Sequence, residues 1–120
     1  MIYRLIRPIL FKLDAEGAHR LAIRSARLVQ TIPGVRITKT SANLAQTLWG
    51  IHFSNPVGIA AGLDKNAECL PYWARIGCGF AEVGSVSADR AAGNPRPRAF
   101  RLPADRALIN RMGLNNDGAE

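Results

Sequence analysis

The chain has 120 residues and 16 Lys and Arg against 9 Asp and Glu, a formal charge of +7, and its first forty residues hold +6 of that excess, which suits attraction to anionic phospholipid or nucleic acid. No run reaches the roughly 18 apolar residues of a spanning helix, and no small-residue cleavage site follows the N-terminal segment. Cys69 and Cys78, the two cysteines, have neither CxxC nor metal-type spacing, which argues against a disulfide framework or zinc module and fits a reducing, cytoplasmic compartment.

Ile2, Leu5, Ile6, Ile9, Leu10 and Leu13 recur at intervals of three and four, with Arg4, Arg7 and Lys12 off that face. This spacing predicts an amphipathic helix. An interior proline removes a donor and clashes with the preceding turn at a cost of about 3 kcal/mol, so a kink or a helix start is expected near Pro8. Asp14 is the expected cap of a second helix whose apolar stripe is Ala18, Leu21, Ala22, Ser25, Leu28, Val29 and Ile32, ending at Pro33-Gly34. Val35 to Gln46 is polar and aperiodic, reading as a linker with a domain boundary near residue 40.

Thr47 to Gly50 and Ile51 to Phe53 read as two short strands turning at Gly50. Pro56 to Ala60 is an apolar run suited to a buried strand. A helix over Ala67 to Ile76, the Gly77-Cys78-Gly79 turn and a strand over Phe80 to Val83 complete a predicted βαβ unit. Arg98 to Leu102 and Arg106 to Ile109 flank Pro103-Ala104-Asp105 as a hairpin. Asn116 to Glu120 reads as a helix start with Asp117 as cap.

Two segments carry the chemistry. Asn55-Pro56-Val57-Gly58-Ile59-Ala60-Ala61-Gly62-Leu63-Asp64-Lys65-Asn66 delivers an ammonium and two polar side chains where a strand stops, and Gly62 lets a flat ligand approach closely. Asn110-Arg111-Met112-Gly113-Leu114-Asn115-Asn116 supplies three carboxamides that donate and accept in a plane, as a planar heterocycle requires. The glycines of the first segment fit neither the dinucleotide fingerprint nor the phosphate loop.

These segments, with Glu82-Val83-Gly84-Ser85-Val86 and Gly93-Asn94-Pro95-Arg96-Pro97-Arg98 between them, resemble in order and spacing the membrane-associated, quinone-reducing class 2 of the dihydroorotate dehydrogenase family. The resemblance implies an α/β fold: the N-terminal part of a (β/α)8 TIM barrel over residues 41–120, preceded by a two-helix amphipathic cap over residues 1–40. Such a barrel needs roughly 250 residues, so an incomplete barrel and a truncated chain are expected. The implied activity is oxidation of dihydroorotate to orotate with FMN as hydride acceptor and a membrane quinone as final acceptor, in pyrimidine biosynthesis.

By the same resemblance, Ala61, Gly62, Leu63, Asp64, Lys65 and Ser85 line the FMN site, with Ser85 replacing the family's usual threonine. Lys65, Asn110, Arg111, Met112, Gly113 and Leu114 hold the substrate, Leu114 replacing a more usual phenylalanine. His19 and Arg101 flank the quinone entrance. The basic first helices rest on an anionic membrane at its cytoplasmic face. No catalytic base is expected within the chain, since the class 2 serine lies downstream, and the fragment alone is expected to be inactive.

Read alone, the same residues have plainer roles. Lys65 is a solvated loop charge, Ser85 a strand-ending serine, Asn115 and Asn116 turn formers, His19 and Arg101 packing residues. Other functional readings are a class 1-like flavin barrel, disfavoured by the N-terminal helices, and a basic membrane- or nucleic-acid-binding protein, supported by electrostatics only. No nucleic-acid partner and no metal are expected.

Overall fold

The computed structural model describes residues 2–34, 38 and 41–119. The boundary expected near residue 40 falls at positions outside the described residues. Two compact units form, Met1–Ala22 with Val86–Glu120, and Ile23–Ser85.

In the first unit, α1 (Ile2–Leu10) runs through Pro8 rather than starting there. The lost bond falls in the last turn of a nine-residue helix, and Phe11 N–H to Arg7 C=O at 2.9 Å and Lys12 N–H to Ile9 C=O at 3.0 Å carry the turn onward. Helix α2 (Ala15–Gln30) starts where Asp14 predicts. The Asp14 carboxylate accepts the Gly17 N–H at 3.0 Å, satisfying one of the donors that a helix start leaves open. Among the described residues no helix is long and apolar enough to cross a membrane.

The division between the units falls within α2. In the second unit the buried residues of that helix are Ile23 and Ala26, which pack with Cys69 and Trp73. The predicted stripe is thereby corrected: Leu28 is 73% exposed, and Leu21 and Ile32 are each about half exposed. Apolar residues occupy so much of this helix that its partners, rather than its periodicity, choose the buried side. Arg75 donates to the carbonyls of Val29 at 3.2 Å and Ile32 at 2.7 Å, closing the helix C-terminus.

Strands β1 (Gln46–Leu48) and β2 (Ile51–Phe53) pair antiparallel, Leu48 opposite Ile51. The two residues between them, Trp49 (φ +54) and Gly50 (φ +78), both lie in the left-handed region, as a type I′ turn demands. Glycine takes that region freely and tryptophan does not. Trp49 is 89% exposed, so its ring contributes little burial. Trp49→Asn is therefore expected to stabilise the hairpin by about 1 kcal/mol, read as a raised thermal midpoint; an unchanged or lowered midpoint would show that the indole is held by something other than its turn.

β3 (Gly58–Ile59) and β4 (Phe80–Ala81) pair parallel, joined through α3 (Leu70–Arg75), the βαβ unit that the sequence predicts. All three elements are shorter than predicted. The helix cannot begin at Ala67, which sits at φ +56, and starts instead beside Pro71. It ends in a Schellman arrangement: Cys78 N–H reaches Trp73 C=O at 3.0 Å and Gly77 N–H reaches Ala74 C=O at 3.2 Å, with Gly77 at φ +98. Asn55, 2% exposed, ties the strand entrances by donating to Gly77 C=O at 2.9 Å and accepting from Val57 N–H at 2.9 Å.

Back in the first unit, β5 (Ala99–Leu102) and β6 (Ala107–Asn110) form the expected hairpin one residue later at each start, because Arg106 (φ +52) closes the turn with its N–H on Pro103 C=O. Asn116, the first residue of the expected helix start, pairs with Ala91 as an isolated bridge. The α/β class holds, with strands pairing two at a time among the described residues.

Candidate functional site

Within the second unit, the parallel pair places the ends of β3 and β4 side by side, and the segments leaving them carry the expected flavin-contacting residues. Ala61, Gly62 and Leu63 are exposed. Gly62 stands at φ +99 with open space where a side chain would project, which leaves its backbone approachable. Ser85 is exposed just beyond β4. Lys65 is half-buried, and its carbonyl accepts the Gly84 N–H at 3.0 Å. A Cβ at Gly84 would stand 3.1 Å from the Lys65 Cβ and carbonyl oxygen, so this glycine permits the close approach.

The Asp64 side chain turns inward, 2% exposed, accepting Glu68 N–H at 2.8 Å, Cys69 N–H at 2.8 Å and Trp73 Nε1–H at 2.9 Å. The carboxylate organises the turn before α3, and its oxygens are occupied within the protein. Burial, with Asp64 and Glu68 nearby, pushes the Cys69 thiol up from its ordinary pKa.

In the first unit, the expected substrate stretch follows directly from β6. Asn110, Arg111, Gly113 and Leu114 are exposed and Met112 is half-buried. Its backbone is held from the loop before β5: Asn94 Nδ2 donates to Arg111 C=O at 2.8 Å and Asn94 N–H to Met112 C=O at 3.0 Å. Arg111 N–H donates to Arg98 C=O at 2.8 Å, while its guanidinium reaches Pro97 C=O at 3.1 Å. Gly113 at φ +73 lets Asn94 approach to where a Cβ would collide. Asn116 is buried and performs turn chemistry, accepting from Ser87 N–H at 3.2 Å and Gly118 N–H at 2.9 Å, so its carboxamide does not face a heterocycle.

Behind this stretch lies a charge cluster that sequence reading missed. Arg98, 5% exposed, forks onto Glu16: Nε to Oε2 at 3.1 Å and Nη2 to Oε1 at 2.9 Å. Its Nη1 donates to Ala92 C=O at 2.7 Å, Asn94 C=O at 3.0 Å and, more weakly, Met112 C=O at 3.5 Å. Arg96 adds a bond to Glu16 Oε1 at 3.0 Å. The Arg98 guanidinium foremost, with Arg96, holds the Glu16 carboxyl below its ordinary value of 4.5 against the opposing effect of burial, and Glu16 raises Arg98. A depressed carboxylate contributes stability in full above the unfolded value and loses it as pH falls from about 4.5 through the folded value. The thermal midpoint should therefore fall below pH 4.5, and its difference from that of Glu16→Gln should shrink there; a constant difference down to pH 2 would refute the linkage.

Arg101 and His19, expected beside the quinone, are both half-buried. Arg101 donates to Leu13 C=O at 2.7 Å, and its guanidinium lies 4.8 Å from the Phe11 ring centroid. Arg7 also lies over that ring, at 4.7 Å. Two cations on one aromatic ring are mutually tolerable because each meets its π density. An open cleft of about 440 Å³ is lined by Arg4, Arg7, Pro8 and Phe11. Phe11 carried no signal for this in the sequence, since its partner on β5 is far away along the chain.

Comparison with known proteins adds a consistent pattern. A family model for dihydroorotate dehydrogenase matches residues 43–120. A protein from Gloeobacter violaceus named dihydroorotate dehydrogenase (quinone) is 49% identical over 99% of this chain and 35% of its own length. One of the same name from Rhodopseudomonas palustris (strain HaA2) is 56% identical, covering 94% of this chain and 30% of its own. The solved ligand-free DHODH of Eimeria tenella superposes with a TM-score of 0.77 at 40% identity, over 88% of this chain and 28% of that one. Its complex with ferulenol gives 0.77 as well. The chain thus spans roughly a third of the length of these relatives.

Proposed function

Since the chain belongs to the dihydroorotate dehydrogenase family, we propose that it forms part of an enzyme oxidising dihydroorotate to orotate, with FMN as hydride acceptor and a quinone as final electron acceptor, in pyrimidine biosynthesis. The observation that carries this reading is the placement of Lys65 and Ser85 beyond the ends of a parallel strand pair, inside the matched region. Quinone is favoured over other acceptors because the Gloeobacter relative, named for quinone, aligns over 99% of the chain, N-terminal helices included.

The donor set fits a flat cofactor. Open backbone at Ala61 to Leu63, a glycine with free space above it and an exposed hydroxyl at Ser85 are compatible with an isoalloxazine ring. Bound there, FMN would supply a two-electron acceptor. Lys65 would stabilise negative charge at the pyrimidine edge and meet the substrate carboxylate. Asp64 would serve through its backbone and by fixing the turn. Asn110 would hydrogen-bond the dihydroorotate ring, with Arg111 to Leu114 contributing backbone groups. No residue of this chain is assigned as the base.

His19 and Arg101 are assigned to the quinone, whose carbonyls an imidazole and a guanidinium can hold. Peripheral attachment to the cytoplasmic face of the inner membrane is supported by the basic first forty residues and by the exposed Ile2, Leu5 and Ile9 of α1. Each cation near an anionic leaflet contributes about 1 kcal/mol. Nucleic acid is not assigned as a partner.

The test is made on the purified gene product that carries this sequence. Flavin absorbance, bleached by dihydroorotate and restored by a quinone, is expected; a colourless product that leaves dihydroorotate unchanged would overturn the reading.

A further inference from the structure

Glu16 sits at the second position of α2, on the helix that carries His19, yet its carboxylate is spent on the opposite partner in function: the loop that supports the substrate stretch. The Arg98 guanidinium has donors on two sides. Nε and Nη2 face Glu16, while Nη1 gathers the carbonyls of Ala92, Asn94 and Met112. Met112 lies in the middle of the substrate stretch, and Asn94 in turn fixes the carbonyls of the two successive peptides that flank it, those of Arg111 and Met112.

A guanidinium is planar and its donors diverge at fixed angles, so fixing one edge fixes the other. With Glu16 gripping Nε and Nη2, the Nη1 donors are aimed rather than free to swivel. We propose that Glu16 is a positioning residue for the dihydroorotate-contacting stretch Asn110–Leu114, acting through Arg98 and the Ala92–Asn94 loop. The proposal rests on the reading of that stretch given above. It places part of the substrate site's support on the helix otherwise assigned to the electron acceptor.

Glu16→Gln replaces one acceptor of the fork with an amide donor facing Arg98. In the gene product, the dihydroorotate KM and the orotate dissociation constant, read by flavin absorbance, should both rise about tenfold. The quinone KM should stay within about twofold. A purely structural role would instead lower the active fraction, reducing kcat with the dihydroorotate KM intact, and that outcome overturns the proposal. Arg96→Ala, which leaves the Arg98 fork in place, should change the dihydroorotate KM less than about twofold; a rise matching that of Glu16→Gln would also overturn it.

Hydrogen exchange gives a readout independent of turnover. The amides of Asn94 and Arg111 should exchange faster in Glu16→Gln than in the unaltered protein, and equal rates would overturn the proposal. If the unaltered protein does not oxidise dihydroorotate, the functional reading falls while exchange still decides the positioning role. Should Glu16→Gln not fold, Asn94→Ala cuts only the exposed link to Arg111 C=O. It should raise the dihydroorotate KM about threefold, and an unchanged KM counts against the proposal.

Discussion

Asp64→Ala is expected to destabilise the protein by about 3–5 kcal/mol, because two backbone N–H groups and one indole N–H lose their only charged acceptor in a buried place. The amides of Glu68 and Cys69 lie at 2.8 Å from that carboxylate and Trp73 Nε1 at 2.9 Å. Few residues share the burden. The buried apolar set among the described residues is Ile23, Ala26, Cys69 and Trp73, and two of these four are partners of Asp64. Against a typical domain stability of about 5–15 kcal/mol, the loss is a large fraction of the total. Trp73→Phe keeps one aromatic ring but removes the donor and the rest of the indole, so it should cost less, about 1–2 kcal/mol. Urea unfolding of the gene product decides it: a cost below about 1 kcal/mol for Asp64→Ala would mean that water replaces the carboxylate and that the turn before α3 is held by other contacts.

The same residue shows how far sequence reading reaches. Local chemistry was legible: Asp14 as a helix cap, Gly50 as a turn, Gly77 as a helix terminator and the βαβ order each follow from one or a few neighbouring residues. Choices made by distant partners were not. Asp64 read as a polar residue at a strand end, although it folds back onto an indole nine positions later. The side of α2 that is buried depends on Cys69 and Trp73, and an apolar helix with Leu21, Ile23, Ala26 and Leu28 offers more than one side. Glu16 and Arg98 are 82 positions apart, and neither periodicity nor motif joins them. At the candidate site, the strand-end placement of Lys65 and Ser85 could be anticipated from the predicted parallel pair. Asn116, by contrast, went to the turn chemistry that asparagine equally favours.

Lys65→Ala is expected to slow dihydroorotate-dependent flavin reduction in the gene product by about 10²-fold, the scale of removing one preorganised charge from a developing anion. Preorganisation is what the surroundings of Lys65 supply. On one side its neighbour Asp64 is locked into the fold by three hydrogen bonds, and on the other its own carbonyl is fixed by Gly84 N–H at 3.0 Å. The backbone of Lys65 is therefore pinned at both ends before any ligand arrives, which fixes the point from which its flexible stem carries the ammonium. Lys65→Arg keeps the charge on a longer, planar group and should recover only part of the rate. Gly84→Ala tests the pinning while keeping the ammonium: its methyl would stand 3.1 Å from the Lys65 Cβ and carbonyl oxygen, so Lys65 must give by a few tenths of an ångström. It should slow reduction in the same direction while leaving the charge in place. Single-turnover absorbance separates these effects from flavin loss, since cofactor content is read from the oxidised spectrum before substrate is added. An unchanged reduction rate in Lys65→Ala at full flavin content would remove the residue from the reaction.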